Sequence, residues 1–474
     1  MPQRRSHVAP SATQSELAEA LASLRASLDA PVEFSPEAIA EASAVTPPAP
    51  GLDLRDVPFA TLDPLGSRDL DQAFHLARSG DGFEVRYAIA DVPAFVAAGG
   101  ALDAAARERG QTLYAADGSI PLHPRELSEG RASLLPGENR PALVWTFALS
   151  GAGDVEDFRL ERALIRSRAQ LDYESAQRAL DAGEESPASL LPVIGELRLE
   201  KERERGGASL NMPDEEVVQR EDGTYGIVRR TPLPIEDWNA QLSLMTGMAA
   251  ASLMLEAKVG VLRTMPEPDA AAFAAFRHQT EALGRPWTAG EYGEYLRSLD
   301  RADPLTLPVL EAAASLFRGA GYVTFDGTVP ADVEQAAIAA PYAHATAPLR
   351  RLVDRWALAI CLGISDGSGA PAWARDSLAE LPDLMQASNQ RASRLNADTI
   401  NRVEAALMRP LVGSTIEATV IELRNGGERA DVQISDPAVT ASAPVPAGVK
   451  PGETVTLRVV TADIAKGEVE FALT

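Results

Sequence analysis

Cysteine is almost missing from this chain of 474 residues; Cys361 is the only one. A single thiol excludes an intrachain disulfide framework and a thiolate metal cage, and its place in the apolar run Trp356–Ile364 predicts a core residue. Histidine is scarce too, with five residues scattered so that no pair has metal-ligand spacing. Lysine occurs only at positions 201, 258, 450 and 466, so forty of the 44 basic residues are arginine, whose planar fork suits phosphate. No run reaches the roughly 18 apolar residues needed to cross a membrane. The first residues, MPQRRSHVAP, lack the apolar stretch of a signal peptide. A cytoplasmic protein without membrane contact is the expectation.

What is present is a hydrophobic fraction of 45%, enough for real cores, in a chain long enough for two or three domains. The formal charge of −24 argues against loose adhesion to nucleic acid, although one basic channel in an acidic body is sufficient for an RNA enzyme. Basic residues gather at Arg159–Arg168, Lys201–Arg205, Arg350–Arg355 and Arg391–Arg402, each of which also reads as a solvated helix face.

The chain divides into three parts. Residues 1–50 form a small helical N-terminal domain, with an amphipathic helix at 15–30 capped by Ser15, a second helix at Pro36–Ser43, and a Pro-rich break at 45–51. Two helices joined by a turn are compatible with a helix-turn-helix. Residues 51–409 form a long α+β domain. VPFATLD (57–63) reads as a strand, QAFHLARSGDGFEVRYAIADVPAFV as two strands joined by a Ser-Gly-Asp-Gly turn, and RPALVWTFAL as another. Beyond about residue 160 the expectation is mainly helix up to Met408. Residues 410–474 hold five short strands, the content of a small OB-fold barrel, with five basic against nine acidic residues.

The chemistry is expected in TLDPLGSRDLDQAF, residues 61–74. Asp63 ends a strand, and Asp69 and Asp71 stand two apart, so that in an extended segment both carboxylates share a face. Carboxylate oxygens suit Mg2+, a hard ion that keeps several waters and takes substrate phosphates as further ligands. Two such ions about 4 Å apart clamp the attacking and leaving oxygens of a phosphodiester. Taken alone, the motif fits an Asp-rich solvated loop better than a metal site. A calcium loop fits badly, since counting from Asp69 places Ala73 and Phe74 where a ligand and an obligatory Gly belong.

Five separated blocks resemble the ribonuclease II (RNB) exoribonucleases, in the family's order: DLRDVPFATLD (53–63) with its aspartate loop, IADVPAFV (89–96), IPLHPRELSEGRASLLPGENRPAL (120–143), LDYESA (171–176) and HATAPLRRLVDRW (344–356). The resemblance implies an RNB-type catalytic domain, a mixed sheet with helices, followed by the family's final OB-fold RNA-binding domain. It implies that Asp63, Asp69 and Asp71 hold magnesium, that Asp69, Asp71 and Arg350 act in catalysis, and that Tyr114, Thr346, Arg350 and Arg351 contact RNA. The implied activity is processive 3′-to-5′ hydrolysis of single-stranded RNA to nucleoside 5′-monophosphates by a monomer.

The chain departs from the family pattern at several points. Gln72 stands at the fourth acid of the loop and is carried as a fourth, neutral metal position. Ala347 replaces a Ser, Leu352 a Tyr-like position, and Ala397 with Asp398 beside it falls where a late acidic residue belongs. The first fifty residues are too few for one cold-shock barrel, of which the family carries two, and a wider entrance tolerant of structured RNA is the corresponding expectation. The competing reading, supported by Gln72, is a non-catalytic RNA-binding protein on a decayed nuclease scaffold.

Overall fold

The computed structural model describes residues 16–28, 30–115, 118–208, 214–219, 225–300, 306–316, 318–434 and 439–474; Ser15, the expected helix cap, lies outside them. In the segment Asn139–Leu149 the usual alternation of buried and exposed residues breaks down, and Pro141 through Phe147 are all buried. Such a run belongs to a strand covered on both faces. Here it lies in a sheet that closes on itself. The strand Val155–Asp172 pairs antiparallel with Asn139–Leu149 through its first half and parallel with Phe59–Asp63 through its end. Gln72–Ser79 and Gly82–Ala90 complete the ring between them. The hairpin joining those two strands turns on Gly80 at φ 56, and Gly82 has no room for a side chain, since a Cβ there would lie 1.9 Å from the Leu149 carbonyl oxygen.

One face of this sheet carries Phe74, Tyr87, Trp145 and Phe147 into the main core, where they meet the helices Pro234–Ala257 and Leu352–Ser365. Cys361 lies in that core, fully buried as expected. The other face carries Phe59, Ala73, Ala88 and Val144 against Val92, Phe95 and Leu102.

The expectation of mainly helix beyond residue 160 fails first at Val155–Asp172, which is one continuous strand. Its arginines, taken for a helix face, alternate with Leu160, Ala163 and Ile165, which point into the cores. The charges mask a period-two pattern. Further antiparallel pairs occur at Asp214–Gln219 with Tyr225–Arg230, and at Val259–Thr264 with Gly321–Asp326.

The helix Leu381–Met408 runs about 40 Å at 1.5 Å per residue. It touches the hairpin at Leu113–Ala115 near its middle and the C-terminal strands at its end. All five expected C-terminal strands are present, ordered 439–444, 429–434, 415–424, 454–463 and 468–473, and the two edge strands approach each other into a nearly closed barrel.

Both N-terminal helices are present, as Glu16–Ser27 and Pro36–Ala44, the second capped by Ser35. Each buries its apolar face on a different body. Leu17, Ala20 and Leu21 join Val403, Met408 and the barrel core. Leu24 and Ala30 pack on Leu113, Ala115 and Ile120. Ala38 and Ala42 belong to the core under the ring, and Glu41 accepts the Leu102 N–H at 3.1 Å. The first helix is therefore a strut between the barrel and the Tyr114 hairpin. Leu21→Asp, which buries a charge at that seam, is expected to speed amide hydrogen exchange in the barrel strands and at 400–408 by an order of magnitude or so while leaving the closed ring protected. Unchanged exchange in the barrel would show that the strut carries no load.

Candidate active site

The aspartate loop is built around one buried leucine. After Asp63 the chain turns through Pro64–Ser67, with Gly66 at φ 85 and the Ser67 N–H donating to the Pro64 carbonyl at 3.1 Å. Leu70 is then fully buried under the ring. Ser133 holds the loop on both sides of it: its hydroxyl donates to the Arg68 carbonyl at 2.6 Å and accepts the Leu70 N–H at 3.0 Å. The Leu134 N–H donates to the Leu70 carbonyl at 3.0 Å. With Leu70 turned inward, its neighbours Asp69 and Asp71 turn the other way, as the two-residue period requires.

Asp71 is only 2% exposed. Its Oδ1 accepts the Leu349 N–H at 2.7 Å, and its Oδ2 lies 3.6 Å from Arg350 Nε without a hydrogen-bond partner. Burial raises its pKa well above the ordinary 3.8; Arg350 and the Leu349 N–H pull it back, and Asp69 and Asp354 push it further up. Asp69 is half-buried and accepts the Tyr114 hydroxyl at 3.3 Å. Asp63 ends its strand in parallel register with Asp172, and its charge acts on Arg350 and on the buried phenols Tyr87 and Tyr173. The structure thus brings Asp63, Asp69, Asp71, Tyr114 and Arg350 into one electrostatic neighbourhood, from segments nearly 290 residues apart in sequence.

The turn that carries Arg350 is gripped from several directions. The Thr112 N–H donates to the Arg350 carbonyl at 3.0 Å and the Leu352 N–H to the Gly110 carbonyl at 2.9 Å, so the strand leading to Tyr114 and the turn share one ladder. Asp354, fully buried, accepts the Ala347 N–H at 2.7 Å and two bonds from Arg351 at 2.8 and 2.9 Å. The buried His123 imidazole hydrogen-bonds the Pro348 backbone, and burial depresses its pKa to about 3, so it stays neutral. Gln72 Nε2 donates to the Thr346 carbonyl.

Two residues named from sequence are placed differently from expectation. Thr346 is 3% exposed and faces the site with its carbonyl. Arg351 is committed to a bidentate pair with Asp354. Asp354, Ser133 and the Leu349 N–H were not singled out from sequence. Asp354 had a signal, since Arg351 and Asp354 stand three apart at a helix start; a backbone N–H has none.

Among the described residues no three acidic, cysteine or histidine side chains converge closely enough to enclose a cation unaided. The donor set nevertheless suits magnesium. The buried Oδ2 of Asp71 lacks a hydrogen-bond donor, the charge of Asp69 bears on Asp71 and that of Asp63 on Arg350, and an ion that keeps waters and takes phosphate oxygens needs few protein ligands. Asp71, Asp69 and Asp63 are the residues that would hold it.

Asp71 ties stability to pH with a definite sign. Its folded-state pKa lies above its unfolded one, so the folded protein binds this proton more tightly and gains stability as pH falls through that raised value toward 3.8. Asp71→Asn retains an acceptor for Leu349 and removes the buried charge. In metal-free solution at neutral pH it is expected to be more stable than the parent by on the order of 1 kcal/mol. The difference should shrink on acidification in paired urea titrations; a variant less stable than the parent at neutral pH would show that the Arg350 pair outweighs desolvation. Ser133→Ala leaves the Leu70 N–H without its acceptor and should cost about 1–3 kcal/mol in the same assay.

Comparison with known proteins agrees with this architecture. A family pattern described as the RNB domain matches residues 52–360, and one described as the RNase II-type exonuclease C-terminal S1 domain matches residues 414–474. The probable exosome complex exonuclease RRP44 of Caenorhabditis elegans is 30% identical over 323 residues, covering 65% of this chain and 34% of that protein. Ribonuclease R of Escherichia coli (strain K12) is 25% identical over 406 residues, covering 79% and 49%. The chain thus spans half or less of the length of these relatives. Mycoplasma genitalium RNase R in complex with ribose methylated single-stranded RNA superposes with a TM-score of 0.86 at 16% identity, over 97% of this chain and 78% of that one. Yeast Ssd1, a pseudonuclease, gives 0.67 at 16% identity, over 83% and 50%. At such identities these likenesses establish the fold. The closed ring with its aspartate loop and the Arg350 turn lie within the first matched range and the final barrel within the second, and the chain belongs to the RNB-domain family.

Proposed function

We propose that this chain is a processive, magnesium-dependent exoribonuclease that shortens single-stranded RNA from its 3′ end and releases nucleoside 5′-monophosphates. The observation that carries this reading is the Asp71–Arg350 pair: a buried carboxylate with one oxygen lacking a hydrogen-bond donor, beside a guanidinium whose side chain is 30% exposed. In water of a surface loop such a pair would be ordinary. A buried pair of this kind, under the charge of Asp69 and Asp63, supports a site at which a phosphodiester and its attacking water would meet opposite charges.

The roles follow from the groups. Arg350 would face the phosphoryl oxygens and offset the charge that develops there. Asp71 would orient the water and accept its proton as the water oxygen bonds to phosphorus. The bond from phosphorus to the preceding 3′ oxygen breaks, that oxygen takes a proton from solvent water to leave as the 3′-hydroxyl of the shortened RNA, and Asp71 returns its proton to solvent. Magnesium, when bound, supplies positive charge at the phosphoryl oxygens and acidifies the water. Tyr114, with its hydroxyl on Asp69, presents its ring to the 3′-terminal base; stacking of that kind is tolerant of sequence. Contacts to the 2′-hydroxyl would favour RNA over DNA. The protein is proposed to act as a cytoplasmic monomer. The second reading, a non-catalytic RNA binder, is favoured by Gln72 and by the fold likeness to a pseudonuclease.

RNA oligomers labelled at either end separate the two. The expected result is stepwise shortening from the 3′ end that needs magnesium, falls at least about a thousandfold in Asp71→Asn, and falls on the order of a hundredfold in Arg350→Ala. RNA binding by Asp71→Asn should persist. Binding without shortening by the parent protein, with magnesium or manganese present, would establish the non-catalytic reading.

A further inference from the structure

Gln72 follows Asp71 directly and begins the strand that leaves the aspartate loop. Its amide nitrogen donates to the Thr346 carbonyl. Asp71, one residue earlier, accepts the Leu349 N–H of the same turn. Neighbouring residues of an extended chain point to opposite sides, so the turn straddles the end of the strand and is held from both. Thr346 is buried, and it is its carbonyl that meets Gln72. A carbonyl oxygen accepts and never donates, which fixes the amide orientation: the nitrogen faces the turn, and strand alternation directs the whole amide to the side away from Asp71 and the cation that Asp71 would hold.

The chemistry of the position follows. A carboxylate there would set an anion against the Thr346 carbonyl oxygen, an arrangement that needs a proton or a cation between the two. The amide makes the same span neutral and self-sufficient. Three further supports of the turn involve no candidate magnesium ligand: Ala347 N–H to Asp354, Arg351 to Asp354, and Thr112 N–H to the Arg350 carbonyl.

We propose that Gln72 is a positioning residue that latches the catalytic strand to the Thr346–Arg350 turn and stands outside the magnesium ligand set, so that Asp71 and Arg350 are in place before any cation binds. This rests on the exoribonuclease reading for its kinetic consequence and not for its structural one. It also turns the departure that favoured a decayed scaffold into a working part of the site.

The test uses the full chain with Gln72→Met, which keeps the length and removes the donor, and Gln72→Glu, which keeps the shape and reverses the polarity. Three quantities are read: amide exchange across residues 344–352, magnesium affinity by calorimetry on protein without RNA, and kcat and KM on a single-stranded oligomer. In the parent, exchange across 344–352 is expected to be the same in EDTA and in magnesium. In Gln72→Met it should rise about fivefold in both, as expected for one lost hydrogen bond of about 1 kcal/mol, while magnesium affinity changes less than about threefold. Gln72→Glu should show the faster exchange in EDTA and recover with magnesium. With latch and ligand so separated, kcat falls on the order of tenfold in Gln72→Met with KM nearly unchanged, because only the arrangement of the reacting groups is loosened. Parent-like exchange in Gln72→Met would overturn the latch, and a tenfold loss of magnesium affinity in the same variant would overturn its exclusion from the ligand set. If the parent cleaves no RNA, the exoribonuclease reading fails while exchange and calorimetry still decide the latch.

Discussion

The site hangs on the burial of one carboxylate. Asp71 sits where the aspartate loop enters the closed ring, with one oxygen on a backbone N–H of the Arg350 turn and the other facing that arginine. Burying a charge is costly unless it is paired, and here the pairing is incomplete. The surrounding structure has to impose the arrangement. Leu70 anchors the loop from below, Ser133 grips its backbone, and Asp354 holds the turn that presents Leu349 and Arg350. Each of these is a stabilising contact whose benefit is spent holding one unfavourable group in place, a common relation between stability and function.

The closed ring supplies the rigidity for this. A sheet buried on both faces leaves its strands no freedom to slip, because a one-residue shift would carry charged side chains into one core or the other. The strand Gln72–Ser79 is paired along its whole length with Gly82–Ala90, so the position of Asp71 at its start is defined by the register of the ring. Tyr114 is set differently. Its hairpin is a short excursion, braced by Leu24, Ala30 and Leu395 and laddered to the Arg350 turn. The N-terminal helix thus contributes to the site at one remove, through the hairpin that it supports, and ties that hairpin to the C-terminal barrel through Leu17 and Leu21.

Much of this was legible in the amino-acid order. The period-two pattern and glycine turn around Gly80 marked a hairpin, and five short strands at the C-terminus marked a barrel, because local alternation and turn chemistry act over a few residues. The strand Val155–Asp172 was not legible as such: its outward positions carry arginine and glutamate in a density that resembles a helix face, and only pairing with two other strands selects the extended form. At the site, Asp63, Asp69, Asp71, Tyr114 and Arg350 stood out as residue types in family-like blocks. Thr346 and Arg351 stood out equally, yet one is buried and the other is bound to Asp354. Nothing local distinguishes a guanidinium beside the aspartate loop from one closing an ion pair on its own helix.

What the sequence determined by itself was the inventory: acids two apart, an arginine cluster at 350–355, a tyrosine at 114 and a terminal barrel, together with the neutral Gln72. Composition and short-range spacing suffice for that, because they act through propensity and side-chain chemistry. The tertiary structure alone decided how the inventory is used. It set Asp71 under cover, aimed Arg350 at it, gave Arg351 to Asp354, and turned Gln72 toward a carbonyl. These outcomes depend on desolvation and on contacts between segments nearly 280 residues apart, such as Asp71 and Leu349. Burial and the direction of a hydrogen bond are properties of a three-dimensional neighbourhood, and no window of neighbouring residues contains them.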